Sequence, residues 1–395
     1  MNHRQLFLQY LAQTTEAPLL LEIEKAEDIY LFGPDGKRYI DLISGIGVSN
    51  VGHRHPKVIK AIQDQLNKYL HIMVYGEIIQ SPQVLLAQRL AESLSYHLDN
   101  VYFVNSGSEA VEGALKLAKR FTGRREIVYF DKAYHGSTHG ALSINGDEFY
   151  KQSYRPLLPD TRKINFNYIE DLKEISTATA AVIIEVVQGE AGVRKADESY
   201  LQSLKQRCLE TGALLIFDEI QTGFGRTGKF WAFQHFGVIP DILVCAKGMG
   251  GGMPIGAFIS SKEIMQTITF QPFLGHITTF GGHPVSCAAS LAVIDILADD
   301  KIIDEVFLKE SIFRQKLIHP KIKEVRSAGL MMAVQFDNYP HLKSIIDKAI
   351  QKGVLTDWFL HCNDSMRIAP PLTITVEQIN EACVKILEAI DESLL

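Results

Sequence analysis

The stretch Asp241-Ile-Leu-Val-Cys-Ala-Lys247-Gly-Met-Gly-Gly-Gly-Met-Pro254 combines an apolar run with a single lysine and a glycine cluster. An earlier apolar run, Ala213-Leu-Leu-Ile-Phe217, ends in a similar way at Asp218. Short apolar runs with such ends are typical of buried parallel strands. Because polar groups of open α/β sheets gather at the carboxyl ends of their strands, we expect Lys247 and Asp218 to face one crevice.

The chemistry of these two side chains indicates one cofactor. A buried lysine loses its proton readily and can bond covalently to an aldehyde. A buried aspartate needs a lasting cationic partner, because without one it would take up a proton. Pyridoxal 5′-phosphate offers an aldehyde to Lys247 and a ring nitrogen to Asp218, so the pair predicts this cofactor.

Around these runs, helical patterns alternate with short apolar segments from about residue 56 to residue 295. This alternation predicts an α/β fold with a mostly parallel sheet that carries helices on both faces. The clearest predicted strands are Val101–Val104, Ile127–Phe130, Ala181–Ile184, Leu214–Phe217 and Ile242–Cys245.

The beginning of the chain has a different character from this middle part. Ile29–Phe32 and Arg38–Ile40 flank the turn Gly33-Pro-Asp-Gly36, a pattern that predicts a β-hairpin. Near the other end, Val325–Val334 and Met366–Ala369 are candidate strands among amphipathic helices.

These patterns predict two domains. We expect residues 51–295 to form a large domain that binds the cofactor. Residues 1–50 and 296–395 are expected to form a second, smaller α/β domain from both ends of the chain.

The composition limits the class of partner. The chain has 395 residues, enough for more than one domain, and a formal net charge of −6. A mildly acidic chain without a basic face argues against nucleic acid as a partner. No apolar stretch reaches the roughly 20 residues that span a bilayer, and the N-terminus has no signal-type apolar core. The five cysteines form no CxxC pair, so we expect buried thiols in the cytoplasm.

A candidate phosphate site follows the predicted strand Val101–Val104. Asn105-Ser-Gly-Ser-Glu-Ala110 opens a helix whose apolar residues recur at helical spacing, and Gly123 is expected to end that helix. Backbone amides, hydroxyls and the positive end of the helix dipole suit a phosphate. A plain capped helix start is the alternative.

Two other motifs suggest sites that we do not expect. Gly223-Phe-Gly-Arg-Thr-Gly-Lys229 matches most of a nucleotide-binding loop, but Phe230 stands where that loop needs serine or threonine. His53 and His55 could suggest a metal, but no third ligand is evident in the sequence.

The motifs taken together resemble the class III aminotransferases, which include the acetylornithine, ornithine and 4-aminobutyrate enzymes. The resemblance extends from Gly52-His53 to Arg367-Ile-Ala-Pro-Pro371, and it is most specific in Asp218–Lys229, Ala246-Lys247-Gly248, Asn105–Glu109 and Thr279-Phe-Gly-Gly282. It implies the fold of fold-type-I pyridoxal phosphate enzymes, with a seven-stranded sheet in the large domain. It also implies a homodimer with shared active sites.

The resemblance implies roles for individual residues of the cofactor site. Lys247 would bond to the cofactor and move the proton between substrate and cofactor, while Asp218 would hold the ring nitrogen protonated. Gln221 would contact the phenolic oxygen of the ring. The remaining implied cofactor residues are Ser106, Gly107 and Ser108 at the phosphate, Tyr134 stacked on the ring, and Thr279 reaching the phosphate of the partner subunit.

The implied substrate residues divide into two groups. Arg367 matches the family arginine that binds the α-carboxylate of glutamate or 2-oxoglutarate, and a guanidinium suits that task because its planar fork is bidentate. Glu190 matches the carboxylate that closes on this arginine while a terminal amine is bound. These two residues favour 2-oxoglutarate as the amino acceptor.

Ser137 favours a different donor. The acetylornithine, ornithine and 4-aminobutyrate enzymes typically have arginine there, so a charge-assisted contact worth about 1.5–3 kcal/mol is missing. Ile46 stands where ornithine aminotransferases have a substrate-binding tyrosine. We therefore expect an ω-aminotransferase whose second substrate lacks the usual carboxylate or binds it elsewhere.

Three alternatives remain open from the sequence. Tyr134-His-Gly-Ser137 resembles the amine–pyruvate ω-transaminases. An aminomutase of the glutamate-1-semialdehyde type shares the fold but needs no 2-oxo acid. A catalytically silent binding protein is disfavoured, because Lys247, Asp218 and Gln221 are all present.

Overall fold

The computed structural model describes residues 2–94, 97–299 and 301–393. Its strands, numbered in chain order, are β1 (Lys25–Glu27), β2 (Tyr30–Phe32), β3 (Arg38–Asp41), β4 (Asn100–Val104), β5 (Glu126–Phe130), β6 (Thr161–Ile164), β7 (Thr179–Ile184), β8 (Val187–Gln188), β9 (Arg194–Lys195), β10 (Leu214–Asp218), β11 (Ile242–Cys245), β12 (Gly256–Ser260), β13 (Glu324–Ser327), β14 (Met332–Gln335), β15 (Val354–Leu355), β16 (Trp358–Phe359) and β17 (Cys362–Ile368). The main α-helices are His3–Tyr10, Pro56–Leu66, Ser81–Ser93, Gly107–Thr122, His139–Ser143, Glu198–Thr211, Lys262–Met265, Pro284–Asp299, Val306–Lys316, Tyr339–Gln351 and Val376–Glu392. Within these described ranges, no helix combines the length and apolarity needed to cross a membrane.

A seven-stranded sheet forms the centre of the molecule, in the order β4-β12-β11-β10-β7-β5-β6. Neighbouring strands are parallel except at β12, which runs antiparallel to both β11 and β4. Strands β7, β10 and β11 are buried along their whole length. The predicted α/β fold with a mostly parallel seven-stranded sheet is confirmed.

The predicted strands of this sheet lie at β4, β5, β7, β10 and β11, with bounds that differ by one or two residues. Strands β6 and β12 were not predicted. Strand β6 is an edge strand of sequence Thr-Arg-Lys-Ile, which has too few apolar residues to be recognised. Strand β12 follows the glycine cluster after Lys247 so closely that the cluster hides its beginning.

Two smaller sheets contain the ends of the chain. The predicted N-terminal hairpin forms β2 and β3, and β3 also pairs in parallel with β15, so that Ile40 lies opposite Val354. The other sheet has the order β13-β14-β17-β16. The boundaries proposed at residues 50 and 295 stay a prediction.

The expectation of one strand over Val325–Val334 was wrong. Residues 324–335 form the two antiparallel strands β13 and β14. The Ala328 amide donates to the Met331 carbonyl at 2.9 Å, and Gly329 between them has a φ of +61°. This left-handed conformation favours glycine, so Gly329 was the sequence signal for a turn.

The helix Gly107–Thr122 lies against the central sheet and positions the site at its N-terminus. A side chain at Gly113 would place a Cβ only 2.3 Å from the Phe258 ring, so glycine permits this close packing. The helix ends at Gly123, which has a φ of +69°. Its predicted beginning and end are thus both confirmed.

Candidate active site

A cavity of about 390 Å³ lies at the carboxyl ends of the central strands. A volume of this size suits a small cofactor or substrate. The sequence-predicted residues that line it are Ser106, Gly107, Ser108, Tyr134, Glu190, Asp218, Gln221 and Lys247. Residues more than a hundred positions apart therefore meet at one site.

Lys247 stands just beyond β11, at the start of a short 3₁₀ turn, with a φ of +45°. A left-handed backbone costs a non-glycine residue about 1–2 kcal/mol, and such strain is concentrated at functional sites. Burial lowers the pKa of the Lys247 amine, while the charge of Glu190 opposes this effect. A lysine with a lowered pKa loses its proton more easily and becomes a better nucleophile.

Asp218 ends the neighbouring strand β10, and a buried histidine holds its carboxylate. Oδ2 of Asp218 lies 2.6 Å from Nδ1 of His135, and Oδ1 accepts a hydrogen bond from the Ile220 amide at 3.0 Å. Burial by itself lowers the pKa of His135, but the hydrogen bond and charge of Asp218 raise that pKa overall. His135 therefore fixes the orientation of the carboxylate that lines the cavity.

Glu185 is a second buried carboxylate at this end of the cavity. Its Oε1 accepts from the Tyr134 amide and its Oε2 from the Gly189 amide, both at 3.0 Å. Burial raises the pKa of Glu185, although the charge of His135 opposes the rise. Glu185 thus ties the loop that carries Tyr134 and His135 to the segment that leads to Glu190.

The candidate phosphate cradle is the N-terminus of the helix Gly107–Thr122. Ser106 caps this helix, because its Oγ accepts from the Glu109 amide at 3.2 Å. Close packing requires glycine nearby: a Cβ at Gly107 would lie 2.9 Å from Ile220, and one at Gly136 would lie 2.1 Å from Oγ of Ser108. The exposed amides and hydroxyls can hold a phosphate at the positive end of the helix dipole.

Glu190 and Arg367 form a buried bidentate ion pair beside Lys247. Nη1 and Nη2 of Arg367 donate to Oε1 and Oε2 of Glu190 at 2.9 and 3.0 Å. Burial alone would raise the pKa of Glu190, but the charge and hydrogen bonds of Arg367 lower it to about 2. Asp357 also accepts from Nε of Arg367 at 2.8 Å, so the guanidinium contacts two carboxylates.

Ser137 directly follows Gly136, which lines the cavity, and it is exposed. Its Oγ lies 3.3 Å from the Tyr134 hydroxyl, and its amide donates to Oγ of Ser108 at 3.4 Å. Ser137 carries no charge with which to bind a carboxylate.

Besides Arg367 and Ser137, two further predicted residues do not line the main cavity. Thr279 is exposed, and the adjacent Thr278 is the residue that accepts a hydrogen bond from Asn105, at 2.9 Å. Ile46 borders a narrow space beside Arg367 and Gln221, and its φ is +65°.

The nucleotide-loop-like segment Gly223–Lys229 and the histidines His53 and His55 make contacts within the protein. Gly223–Lys229 consists of turns and does not lead directly into an α-helix, and its Arg226 is buried and donates to two backbone carbonyls. Nε2 of His53 lies 2.8 Å from Oδ2 of Asp41, while Nδ1 of His55 accepts from a backbone amide. Among the described residues, no cluster of three or more His, Cys, Asp or Glu side chains could hold a metal ion.

Sequence reasoning did not single out His135, Glu185 or Asp357. The first two lie inside recognised motifs, directly beside or close to Tyr134 and Glu190, so their polar character was an available signal. Asp357 gave no such signal. It reaches Arg367 only because β16 folds back on β17, where the Arg367 amide donates to the Asp357 carbonyl at 2.9 Å.

Comparison with known proteins identifies the family. A model of the family described as aminotransferase class-III matches residues 11–390, nearly the whole chain. The chain is a class III aminotransferase. Over 395 aligned positions it is 42% identical to the acetylornithine aminotransferase of Methanosarcina mazei, covering 96% of this chain and 94% of that relative.

Solved structures agree with this membership. The ornithine aminotransferase of Toxoplasma gondii matches with a TM-score of 0.91 at 29% identity, covering 99% of this aminotransferase and 95% of that chain. An (S)-enantioselective ω-transaminase from Thermomicrobium roseum matches with a TM-score of 0.92 at 28% identity, covering 99% and 98%. The implied fold type I is therefore confirmed.

Pyridoxal phosphate is the cofactor of this aminotransferase, as the sequence predicted. The Toxoplasma structure has this cofactor at its active site. The cavity of the present chain fits the same group, because it combines a buried amine, an oriented carboxylate and a helix N-terminus that Ser106, Gly107 and Ser108 present to it.

Proposed function

We propose that this aminotransferase transfers a terminal amino group from a donor to 2-oxoglutarate through two half-reactions in one cavity. The observation that carries the proposal is the buried Glu190–Arg367 pair, which lies beside Lys247. An arginine with a movable carboxylate partner suits two substrates that differ in charge at the same position. The similarity to an acetylornithine aminotransferase supports a terminal amino donor.

The cofactor and the chain have separate tasks in this proposal. When bound, pyridoxal phosphate supplies an aldehyde that takes up the amino group and a ring that withdraws electrons. Lys247 holds the cofactor and moves the proton at the substrate carbon through its Nζ, and Asp218 keeps the ring nitrogen protonated. The other proposed holding residues are Ser106, Gly107 and Ser108 at the phosphate, Gln221 at the phenolic oxygen and Tyr134 on the ring face.

The ion pair acts as the selector between the two substrates. While the donor is bound, Glu190 neutralises Arg367, so a neutral or cationic group meets no exposed guanidinium. For the second half-reaction Glu190 moves aside. Nη1 and Nη2 of Arg367 then form a planar fork, which binds the α-carboxylate of 2-oxoglutarate with two parallel hydrogen bonds.

The donor side supports a substrate that lacks a distal carboxylate or binds it elsewhere. Ser137 contributes one exposed hydroxyl, which lies beside the hydroxyl of Tyr134. A hydroxyl can bind a neutral polar group, but it does not provide the charge-assisted bond that a carboxylate gains from arginine.

We also propose that the enzyme is a homodimer with shared active sites. An exposed apolar surface supports this assembly, because large apolar patches mark interaction sites. Thr279 directly follows Thr278, which lines this surface, and we propose that it reaches the phosphate of the partner subunit. The surface includes Val84, Phe273, Leu274 and Ile277, which are exposed and line one groove. If Thr279→Ala bound the cofactor as tightly as the wild type, the shared site would be wrong.

Two further expectations remain proposals. The cysteines are all free thiols, which supports a reducing compartment such as the cytoplasm. The pairing of β3 with β15 supports a small domain built from residues 1–50 and 296–395.

Separate half-reactions of the purified enzyme test the proposed function. Loss of the cofactor absorption band would be followed with glutamate, N-acetylornithine, ornithine, 4-aminobutyrate, lysine and a simple amine. We expect fast loss with glutamate and with at least one terminal amine. Failure of glutamate to change the band would contradict the proposal.

Ser137 favours an amine–pyruvate transaminase as the second candidate function. Such an enzyme would react with a simple amine and would regenerate the cofactor with pyruvate better than with 2-oxoglutarate. Measuring both oxo acids against one donor separates the two functions. An aminomutase would complete its reaction without either oxo acid.

A further inference from the structure

One short segment, Asp357–His361, contacts both members of the Glu190–Arg367 pair. We name it the clasp segment. It contains β16 and leads into β17, the strand that carries Arg367. The position of Arg367 and the position of Glu190 therefore depend on the same few residues.

The clasp segment holds Arg367 through contacts that leave its fork available. Asp357 accepts from Nε at 2.8 Å, and the Trp358 carbonyl accepts from Nη2 at 3.2 Å. The Phe359 ring lies under the guanidinium, with 4.5 Å between Cζ and the ring centroid. These contacts do not require Glu190, so they can hold the guanidinium in place after Glu190 has moved.

The contacts of the Glu190 carboxylate are of a different kind. It accepts from the Leu360 amide at 3.1 Å and from Nε2 of Gln221 at 3.3 Å, besides the fork of Arg367. All of these bonds must break when the carboxylate moves away. The backbone of Glu190 stays fixed, because its carbonyl accepts from the His361 amide at 3.0 Å.

The charge of Arg367 then becomes the main obstacle to opening. Only 4% of the Arg367 side chain is exposed, so departure of Glu190 would leave a buried cation. An uncompensated buried charge is strongly unfavourable. Asp357 is the other carboxylate bound to this guanidinium, and it neutralises the cation while Nη1 and Nη2 of Arg367 become available to a substrate.

We propose that Asp357 is a positioning residue that permits Glu190 to leave Arg367, and that it thereby determines affinity for substrates with an α-carboxylate. Without Asp357, Arg367 would keep Glu190 more tightly and the fork would open less often. The inference rests on the proposed function, because it takes Arg367 as the α-carboxylate site.

A double-mutant cycle of Asp357→Asn and Glu190→Gln tests this role on the holoenzyme. Glutarate serves as a dicarboxylate probe that binds without reacting, and its Kd is measured by calorimetry. In parallel, kinetics of the half-reaction with 2-oxoglutarate give KM and kcat. Asp337→Asn is the matched control, because Asp337 is an exposed acid paired with Lys323 at 2.9 Å.

We expect Asp357→Asn to raise both the Kd for glutarate and the KM for 2-oxoglutarate about tenfold while kcat changes little. In the Glu190→Gln background, the side chain that competes with the substrate for Arg367 is already uncharged. In that background Asp357→Asn should raise neither constant, because no charged competitor remains and the loss of Asp357 leaves the buried guanidinium to bind the probe more tightly. Asp337→Asn should leave them unchanged.

Two results would overturn the inference. An equal increase in both backgrounds would mean that Asp357 only orients the guanidinium and does not affect the departure of Glu190. No increase in the wild-type background would mean that Asp357 has neither effect. Asp357→Glu, which keeps the carboxylate, should weaken binding less than Asp357→Asn, and an equal loss also opposes the inference. If the wild-type enzyme did not react with 2-oxoglutarate at all, the proposed function itself would fail.

Discussion

The arginine side of the candidate site, around Arg367, and its serine side, around Ser137, differ in how firmly their side chains are held. On one side, Arg367 is buried and bonded to Glu190 and Asp357. On the other side, Ser137 is exposed, and its hydroxyl lies beside that of Tyr134. The arginine side can recognise one charged group with defined geometry, whereas the serine side offers one uncharged, exposed hydroxyl.

From this difference we predict that the two substrates are selected by different interactions. A buried charge is costly unless it is paired, so the arginine side must always hold a carboxylate of either the protein or the substrate. An exposed hydroxyl has no such requirement. Specificity for the acceptor is therefore predicted to be narrow, and specificity for the donor to be broad.

The largest expected effect is the loss of Lys247, which both sides share. Lys247→Ala should reduce both half-reactions by on the order of 10⁴-fold or more, because the covalent bond to the cofactor and the proton transfer disappear together. Single-turnover absorption measurements with glutamate and with one amine check this. If one half-reaction survived, the two substrates would not share a proton-transfer residue.

Asp218→Asn should lower both half-reactions by roughly 10²–10³-fold, because a neutral amide cannot stabilise a protonated ring nitrogen. The fold should remain intact, since the amide is the same size. Circular dichroism and rapid-mixing kinetics measure the two properties. A wild-type kcat in this variant would remove the proposed role at the ring nitrogen.

Arg367→Ala should separate the two sides. The glutamate half-reaction should slow by about 10²-fold, because two charge-assisted bonds to the α-carboxylate are lost. The donor half-reaction should change much less. Comparing kcat/KM for glutamate and for an amine checks this, and equal losses would show that Arg367 supports the structure without selecting the acceptor.

The Glu190–Arg367 pair should also contribute to the pH dependence of the free energy of unfolding. Arg367 lowers the pKa of Glu190 from 4.5 to about 2, so the pair stabilises the folded protein fully above pH 4.5 and loses this contribution as the pH falls toward 2. The contribution is about 3 kcal/mol. Urea unfolding between pH 7 and the lowest pH at which the protein folds measures it. Glu190→Gln should flatten the acid side of the profile.

The smallest expected effect is a gain in kcat/KM from a substitution on the serine side. Ser137→Arg should improve kcat/KM for a carboxylated ω-amino acid by about tenfold, because a guanidinium adds one charge-assisted contact. Activity with a simple amine should not improve. Ser137→Asn, which is polar but uncharged, is the matched control. An equal gain with asparagine would show that charge is not the missing feature.

Local patterns were sufficient for much of the fold. Strands such as β10 and β11 are apolar over their whole length, and the helix Gly107–Thr122 has clear signals at both ends. Strand β6 was not predicted, because an edge strand needs few apolar residues. The β13–β14 hairpin was predicted as one strand, because Gly329 was the only sequence signal for its turn.

The candidate site divides in the same way. The sequence alone predicted the cofactor and placed Lys247 and Asp218 at one site, because each residue directly follows or ends a buried apolar strand, and parallel strands bring their carboxyl ends together. Only the tertiary structure revealed the contact between His135 and Asp218 and the hydrogen bond from Arg367 to Asp357. Those contacts depend on how loops and short strands fold back across the sheet, and their energies come from burial and charge pairing, which no local pattern encodes.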